Sequence, residues 1–375
     1  MPGRIRWVAL VIPLALLADL SGCRQNSMEP MPPSKPIPAE QLRETDVLPH
    51  LEGLVTAGRN YVYCATFQLA WNQSRDKIFG EPIRLAGSPP MAEDLFRGGK
   101  LAEDILPPGS YLVRAGLVKD GVVGRIREEM EHRFPNATLH VPDHLEDQWA
   151  IAYAYLQRAL TFHEAFDRLK EPLVFHSKRG PVKVACFGVR NLEVNSRRDE
   201  ALAQQVTVLA DAGDDDFALR LNTVSEDDEM ILAKVKPKQT LGATLAAVCE
   251  RIKRRDGLHD YGPTGLTGGE SLVVPIIDLN VQRKYAELEG RFLTNPKWST
   301  IFLKIAEQGI RFRLDENGAR LESTAYEGWT STDRVKPAQY IFDKPFLLYL
   351  KRKSSDQPYL AIWIETPELL KEVGK

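Results

Sequence analysis

The sequence has few cysteines, and it lacks an excess of charge of either sign. Among its 375 residues the cysteines are Cys23, Cys64, Cys186 and Cys249, and their spacing does not match a metal site. Lysine and arginine total 49 against 51 aspartates and glutamates, a net charge of −2. This balance excludes a general nucleic-acid-binding protein, so no nucleic-acid partner is predicted. Hydrophobic residues at 43% and charged residues at 27% are typical of a globular chain.

Catalytic and cofactor motifs are also missing from the sequence. There is no Gly-x-Ser-x-Gly elbow and no glycine-rich loop followed by Lys and Ser or Thr. His140 and His144 have the spacing of helical metal ligands, but Pro142 between them breaks such a helix. The acidic run Asp214–Asp216 lacks the glycine and the terminal glutamate of a calcium loop. We therefore predict no cofactor, no metal and no enzymatic activity.

The N-terminus has the pattern of an export signal. Arg4 and Arg6 precede an uncharged apolar run at 7–18, which is too short to span a bilayer and is followed by Leu20-Ser21-Gly22-Cys23. These four residues resemble the lipobox of bacterial lipoproteins. The resemblance implies that residues 1–22 are a signal peptide and that Cys23 becomes the acylated N-terminal residue, carrying palmitate-type chains. An ordinary signal peptide that contains a cysteine is the alternative.

The residues after Cys23 predict where the protein lies and where its folded part begins. Arg24 follows the cysteine, and in lipoproteins this residue type suggests the outer membrane. The prediction is therefore an exported protein, anchored to the lipid bilayer of the cell envelope and facing the periplasm. Residues 23–45 are rich in proline and read as a stiff, extended tether, whereas residues 46–375 form the folded domain. In the oxidising envelope disulfides are permitted, but we expect mostly buried thiols.

Helices and strands alternate irregularly along residues 46–375, without a second linker or an internal repeat. This predicts one large α+β domain with several sheets. Apolar spacing predicts helices over 64–78, 122–134 and 240–253. Asp143 and Glu146 have the spacing of a capping box, and the stripe beginning at Trp149 and ending at His163 predicts a further long helix. Strands are predicted at 110–118, 182–189, 206–210, 217–221, 272–279, 301–314, 342–350 and 358–364.

The most informative part is a strand, a long polar segment and a second strand in the last third. The first strand ends in Asp315-Glu316-Asn317-Gly318-Ala319, and the second begins near Lys344-Pro345-Phe346-Leu347. Long segments without regular structure inside compact domains are usually functional. This arrangement resembles the serpin family, in which a strand ends at a hinge, a reactive-centre loop follows, and a strand with a Pro-Phe-Leu core comes next. Helix and strand order agrees with that family over about residues 55–367.

The resemblance implies a role for each part of this segment. Glu316, Gly318 and Ala319 would form the hinge, residues 319–340 the exposed loop, and Thr332, Asp333 and Arg334 the region of the scissile bond. A serine protease is the implied partner: cleavage would let the loop enter the main sheet as a new strand, with the acylated protease still attached. Ala319, Leu321, Ser323 and Ala325 would face one side of that sheet, and the alternate residues the other.

Two other functions remain open from the sequence. Inhibitory members of the family favour very small residues at the hinge, and Leu321 and Glu322 interrupt such a run. A non-inhibitory, serpin-like binding or interaction lipoprotein is therefore the first alternative. An envelope hydrolase is a weaker alternative, because catalytic groups distant in sequence can be brought together by folding.

Overall fold

The computed structural model describes residues 35–98, 101, 104–137, 139, 144–258, 264–317 and 337–373. The described residues fall within one compact unit that begins at Met31. They form a mixed α+β structure with several sheets, which confirms the fold class predicted from the sequence. The helices are α1 (Ala65–Gln73), α2 (Pro90–Arg97), α3 (Val122–Arg133), α4 (Arg197–Gln204) and α5 (Leu241–Arg254).

Strands are more numerous than helices in the described ranges. In chain order they are β1 (Ile37–Pro38), β2 (Thr45–Leu48), β3 (Asn60–Cys64), β4 (Tyr111–Leu117), β5 (Trp149–Ala159), β6 (Asp167–Arg168), β7 (Leu173–Ser177), β8 (Gly180–Val184), β9 (Cys186–Val189), β10 (Val206–Asp211), β11 (Phe217–Leu221), β12 (Asp228–Lys234), β13 (Ser271–Pro275), β14 (Ile277–Lys284), β15 (Arg291–Phe292), β16 (Phe302–Leu314), β17 (Gln339–Ile341), β18 (Phe346–Arg352) and β19 (Pro358–Ile364).

These strands form three large sheets and one separate hairpin. The first sheet has the order β1-β14-β16-β5-β4, with β15 pairing the start of β16. The second sheet has the order β10-β11-β12-β18-β19-β3-β2, and the third has the order β17-β13-β9-β6. The hairpin of β7 and β8 forms a two-stranded sheet of its own. Strand β19 is buried along its whole length, in keeping with its apolar sequence and its place inside the second sheet.

Helix α1 packs on one face of the first sheet and lies within the helix predicted at 64–78. It begins at Ala65, directly after β3, and continues as a π-helical turn at Ser74–Phe79. The turn ends at Gly80, whose φ of 68° is in the left-handed region that favours glycine. Helix α3 covers the opposite face, where Val122, Ile126 and Met130 form a small buried cluster with residues of β4 and β5. The first sheet is therefore covered on both faces.

The helix predicted after Asp143 is wrong, because the chain from Trp149 to Ala159 is strand β5. On one face of β5, Ala150, Ala152 and Ala154 join the main core. On the other face, Ile151 and Tyr153 pack with α3. Burial on both faces makes almost every position apolar, so the four-residue spacing no longer distinguishes a helix from a strand. His163, expected on a buried stripe, is exposed, and Asp143 itself lies outside the described residues.

Residues 37–45, which the sequence assigned to the tether, already belong to the fold. Ile37 and Pro38 pair in parallel with Val281 and Gln282 of β14, and Ala39 is buried. Strand β2 then pairs with β3. The predicted signal peptide, Cys23 and the predicted tether as far as residue 34 lie outside the described residues.

The three cysteines among the described residues are all free thiols. In the described ranges Cys64 and Cys186 are buried free thiols, and Cys249 is a half-buried free thiol. No helix in those ranges has both the length and the apolar character needed to cross a bilayer. Among the same residues, no group of three or more His, Cys, Asp or Glu side chains is arranged to hold a metal ion.

Candidate functional site

The candidate site lies where β16 ends and the long segment begins. Strand β16 ends at Leu314, and the chain is described as far as Asn317 and again from Pro337. Five of the predicted site residues therefore lie outside the described residues: Gly318, Ala319, Thr332, Asp333 and Arg334. Residues 339 and 340, the last two of the loop predicted at 319–340, lie in strand β17, which continues to Ile341.

Glu316, the one described residue of the predicted hinge, connects the end of β16 to the third sheet. Its Oε1 atom lies 3.2 Å from Nη1 of Arg168 on β6, and its carbonyl oxygen accepts a hydrogen bond of 3.1 Å from the N–H of Phe166. The Glu316 side chain is only 16% exposed. Asp315 accepts a hydrogen bond of 2.9 Å from the N–H of Asn317. The start of the segment is thus held by both backbone and side-chain contacts.

The other end of the segment is held by the third sheet. Strand β17 pairs in parallel with β13, with Leu272 opposite Tyr340. The hydroxyl of Tyr340 donates a hydrogen bond of 2.8 Å to Asp211. After β17 the chain enters the second sheet at β18, where the strand predicted from Phe342 begins at Phe346. The long segment therefore connects the first sheet with the third.

Strands β16 and β5 form a continuous parallel pair at the centre of the first sheet. Their register runs from Phe302 opposite Trp149 to Arg313 opposite Ala159, with one irregularity near Leu303. On its other side β16 pairs antiparallel with β14, from Glu307 to Leu314. There is accordingly no gap beside residues 305–314, and the sheet is closed.

A buried polar cluster fixes the middle of β16 to helix α1. The Gln308 side chain is fully buried, and its Nε2 donates to Thr66 Oγ1 at 2.7 Å and to the carbonyl of Cys64 at 3.1 Å. The hydroxyl of Tyr285 donates to Gln308 Oε1 at 2.7 Å. The nitrogen and the oxygen of this amide are thereby both used: Gln308 is bonded to Thr66 of α1, to Cys64 at the end of β3, and to Tyr285 just after β14. We call Gln308, Thr66, Cys64 and Tyr285 the amide cluster.

Sequence reasoning missed the amide cluster, although a signal was present. On the inward face of β16, Ala306, Ile310 and Phe312 are apolar, and Gln308 is the exception among them. A single amide in an apolar stripe indicates a buried partner, because an unpaired amide there is costly. Its partners lie at the end of β3, in α1 and just after β14, all distant in sequence, so the sequence alone does not identify them.

Glu307 is a second buried polar group, on the opposite face of β16. It is 2% exposed and accepts a short hydrogen bond from Nε2 of Gln282 on β14. Across the parallel pair it lies opposite Tyr153 of β5. Burial raises the pKa of Glu307 to about 7, because water is excluded from the carboxylate. The central parallel pair therefore contains a group that titrates near neutral pH.

Replacing Gln308 with alanine is expected to destabilise the chain by about 2–4 kcal/mol. The substitution leaves a cavity and removes the partners of Thr66, Tyr285 and a buried carbonyl. Denaturant-induced unfolding measures the change. The control is Gln239→Ala at an exposed position. Equal stability of the two variants would contradict the role assigned to the amide cluster.

The chain is similar to known proteins in structure and not in sequence. No protein-family model matches the sequence, and no curated protein matches it. Serpin48 of the insect Tenebrio molitor is similar in structure, with 14% identity, a TM-score of 0.43, and coverage of 83% of this chain and 92% of Serpin48. Native protease nexin-1, solved with heparin, is similar with 11% identity, a TM-score of 0.46, and coverage of 82% of this chain and 92% of that chain.

Thyroxine-binding globulin in complex with thyroxine is similar with 13% identity, a TM-score of 0.47, and coverage of 82% of this chain and 93% of that chain. The three comparisons report a likeness of fold to these proteins, and membership of the serpin family stays what the sequence resemblance implies. The fold contains a central sheet from which β16 leads through one long segment into a different sheet.

Proposed function

We propose that this chain is an exported cell-envelope lipoprotein with a serpin-like fold, which inhibits a serine protease by presenting residues 319–338 as bait. Cys23 would supply the lipid anchor, at the outer membrane. The anchor and its location rest on the N-terminal sequence pattern alone. The inhibitory function rests on the relation between the segment and the central pair of β16 and β5.

The closed parallel pair is the observation on which the inhibitory function depends. A segment that turns back at the end of β16 runs antiparallel to β16, and therefore also antiparallel to β5. Insertion between the two strands would replace one parallel ladder with two antiparallel ladders. Antiparallel pairing is slightly more stable per residue, and every inserted residue would gain hydrogen bonds. The direction of the segment and the orientation of the pair thus favour insertion after cleavage.

The side chains of the segment fit the two faces of the pair. The inward faces of β16 and β5 carry Ala306, Ile310, Ala152 and Ala154, which are small or apolar. The set Ala319, Leu321, Ser323 and Ala325 would match this face. The alternate set would face outward, on the side of Arg311 and Arg313, whose charges are already paired with Asp278 and Asp315.

A protease assay tests this proposal. The purified chain is incubated with trypsin-, chymotrypsin- and subtilisin-like enzymes, and complexes that survive denaturation are measured. We expect such a complex with a trypsin-like enzyme, because Arg334 is the one basic residue in the predicted scissile region Thr332–Arg334. Arg334→Gln is expected to abolish it, whereas Arg125→Gln on the exposed surface of α3 leaves it unchanged. Cleavage without any covalent complex would overturn the inhibitory function.

A non-inhibitory binding protein is the second candidate, and the amide cluster is the observation that favours it. Its hydrogen bonds hold the middle of β16 in place and so oppose the movement that insertion requires. Leu321 and Glu322 would also slow it. If this candidate is correct, the segment is cut like any exposed loop and the chain keeps the stability of the uncut form.

A further inference from the structure

The hairpin of β7 and β8 has one buried face and one exposed face. On the buried face Phe175 packs against Phe346 of β18, with ring centroids 6.5 Å apart, and Val184 is fully buried. The opposite face carries Val174, which is 38% exposed, beside Lys183 on the neighbouring strand. Residues of this outward face are Val174, His176, Pro181 and Lys183. We call it, together with Lys178 of the turn and Val373, the hairpin face.

Charge on the hairpin has one sign only. Residues 173–184 include Lys178, Arg179 and Lys183 and contain no acidic residue, in a chain whose net charge is −2. Lys178 and Lys183 are exposed. The guanidinium of Arg179 is paired with Glu44, so it is already neutralised in part. The hairpin face is therefore locally basic.

Neighbouring elements add apolar surface and little exposed negative charge. Val373 is 53% exposed and its N–H donates to the carbonyl of Lys183 at 3.2 Å. Four acidic residues surround the hairpin: Glu44, which pairs with Arg179; Asp343, which pairs with Lys234 and whose carbonyl accepts a hydrogen bond of 2.7 Å from the N–H of His176; the half-buried Glu372; and Glu171 just before β7, which is exposed beside Lys170. Two exposed valines among free lysines form the composition that binds an anionic membrane surface.

The chain connects the hairpin face to the point where the tether enters the fold. Ile37, 47% exposed, pairs with Val281 of β14. At the other end of β14, Ile277 is bridged by Leu370, and two residues later Glu372 bridges Val184 of the hairpin. The twelve residues from Cys23 to Lys35 span at most about 40 Å when fully extended. An anchor at Cys23 would therefore hold this side of the fold close to a bilayer.

We propose that the hairpin face docks on the surface of an anionic phospholipid bilayer and so fixes the orientation of the domain at the membrane. The proposal rests on the proposed lipid anchor for its biological setting, but the surface itself is built from described residues. Each lysine within a Debye length of an anionic membrane contributes about a fivefold factor to binding. The exposed valines would rest at the level of the headgroups.

Vesicle binding tests the hairpin face without the anchor. Every described strand and helix lies after residue 34, so a chain that begins at Arg24 retains all of them. We expect it to co-sediment with vesicles of phosphatidylglycerol and phosphatidylethanolamine, to be released by salt, and to ignore phosphatidylcholine vesicles. The double variant Lys178→Glu, Lys183→Glu is expected to bind at least about tenfold more weakly.

The matched control reverses two exposed charges elsewhere. Lys119 and Arg125 lie beside β4, at the opposite edge of the first sheet from β14, and both are exposed. Lys119→Glu, Arg125→Glu is expected to bind like the unchanged chain, and thermal melts verify that both variants fold. No binding to anionic vesicles, or equal weakening by the two variants, would overturn the docking surface. Acylation of Cys23 is tested separately by the mass of the envelope-extracted protein, so failure of the anchor and failure of the surface are distinguishable.

Discussion

A single cut within residues 319–338 is expected to raise the midpoint of thermal unfolding by roughly 20 °C. Insertion of about ten residues between β16 and β5 adds about ten backbone hydrogen bonds, each contributing on the order of 1 kcal/mol. In a chain of this size, 1 kcal/mol corresponds to about 2 °C. The melting of cut and uncut protein, followed by circular dichroism, measures the difference.

Two substitutions within residues 319–338 test whether the higher midpoint of unfolding comes from insertion of the cut segment or from the cut alone. Ala325 belongs to the set assigned to the inward face, and Thr324 to the outward set. Ala325→Arg would place a charge against the core around Ile310, so it is expected to abolish the increase. Thr324→Arg is the matched control and should leave most of the increase in the unfolding midpoint. A cut that leaves the midpoint unchanged in the unsubstituted chain would contradict insertion and favour the non-inhibitory binding protein.

The sequence predicts correctly those helices and strands in which the apolar residues follow the period of one buried face. Helices α1, α3 and α5 lie within a few residues of their expected positions, as do strands β10, β11, β18 and β19 of the second sheet. Strand β5 was missed because both of its faces are buried. Helix α1 covers one face of β5 and helix α3 covers the other. The sequence of β5 itself does not show that two elements from elsewhere in the chain cover it.

The two strands that flank the candidate site were predictable, but the buried polar groups near it were not. Strand β16 and the strand at Phe346 follow patterns of adjacent residues, whereas the hinge role of Glu316 stays a prediction. The amide cluster and Glu307 depend on Tyr285, Gln282 and the start of α1, which pairing of β14 with β16 brings together. Such long-range register is a property of the whole sheet.

Stability of the chain is expected to fall as the pH rises through the range between about 5 and 7, because Glu307 is buried. Its pKa in the folded state is about 7, above the usual value of 4.5. A carboxyl with a raised pKa binds a proton more tightly in the folded than in the unfolded chain, so protonation stabilises the fold. Below the ordinary pKa this group has no effect, and above about pH 7 its full penalty of about 3 kcal/mol is present.

The neutral isostere Glu307→Gln isolates this group from its surroundings. Burial is the main cause of the raised pKa, and Glu289 and Glu40 add to it, whereas the hydrogen bond from Gln282 and the charge of Lys284 oppose it. The substitution is expected to remove most of the pH dependence and to stabilise the chain at about pH 8 by up to about 3 kcal/mol. A small slope should remain, since burial also raises the pKa of Glu289.

Unfolding by denaturant at a series of pH values measures the effect, with Glu250→Gln on the exposed side of α5 as the matched control. The control is expected to keep the full slope. If Glu307→Gln also keeps the full pH dependence of stability, the Glu307 carboxylate is not its cause.

Because Glu307 lies opposite Tyr153 in the parallel pair, a proton on the Glu307 carboxylate would also favour the closed sheet. Segment insertion after cleavage is then expected to be faster at about pH 8 than at about pH 5, and Glu307→Gln should make the two rates equal.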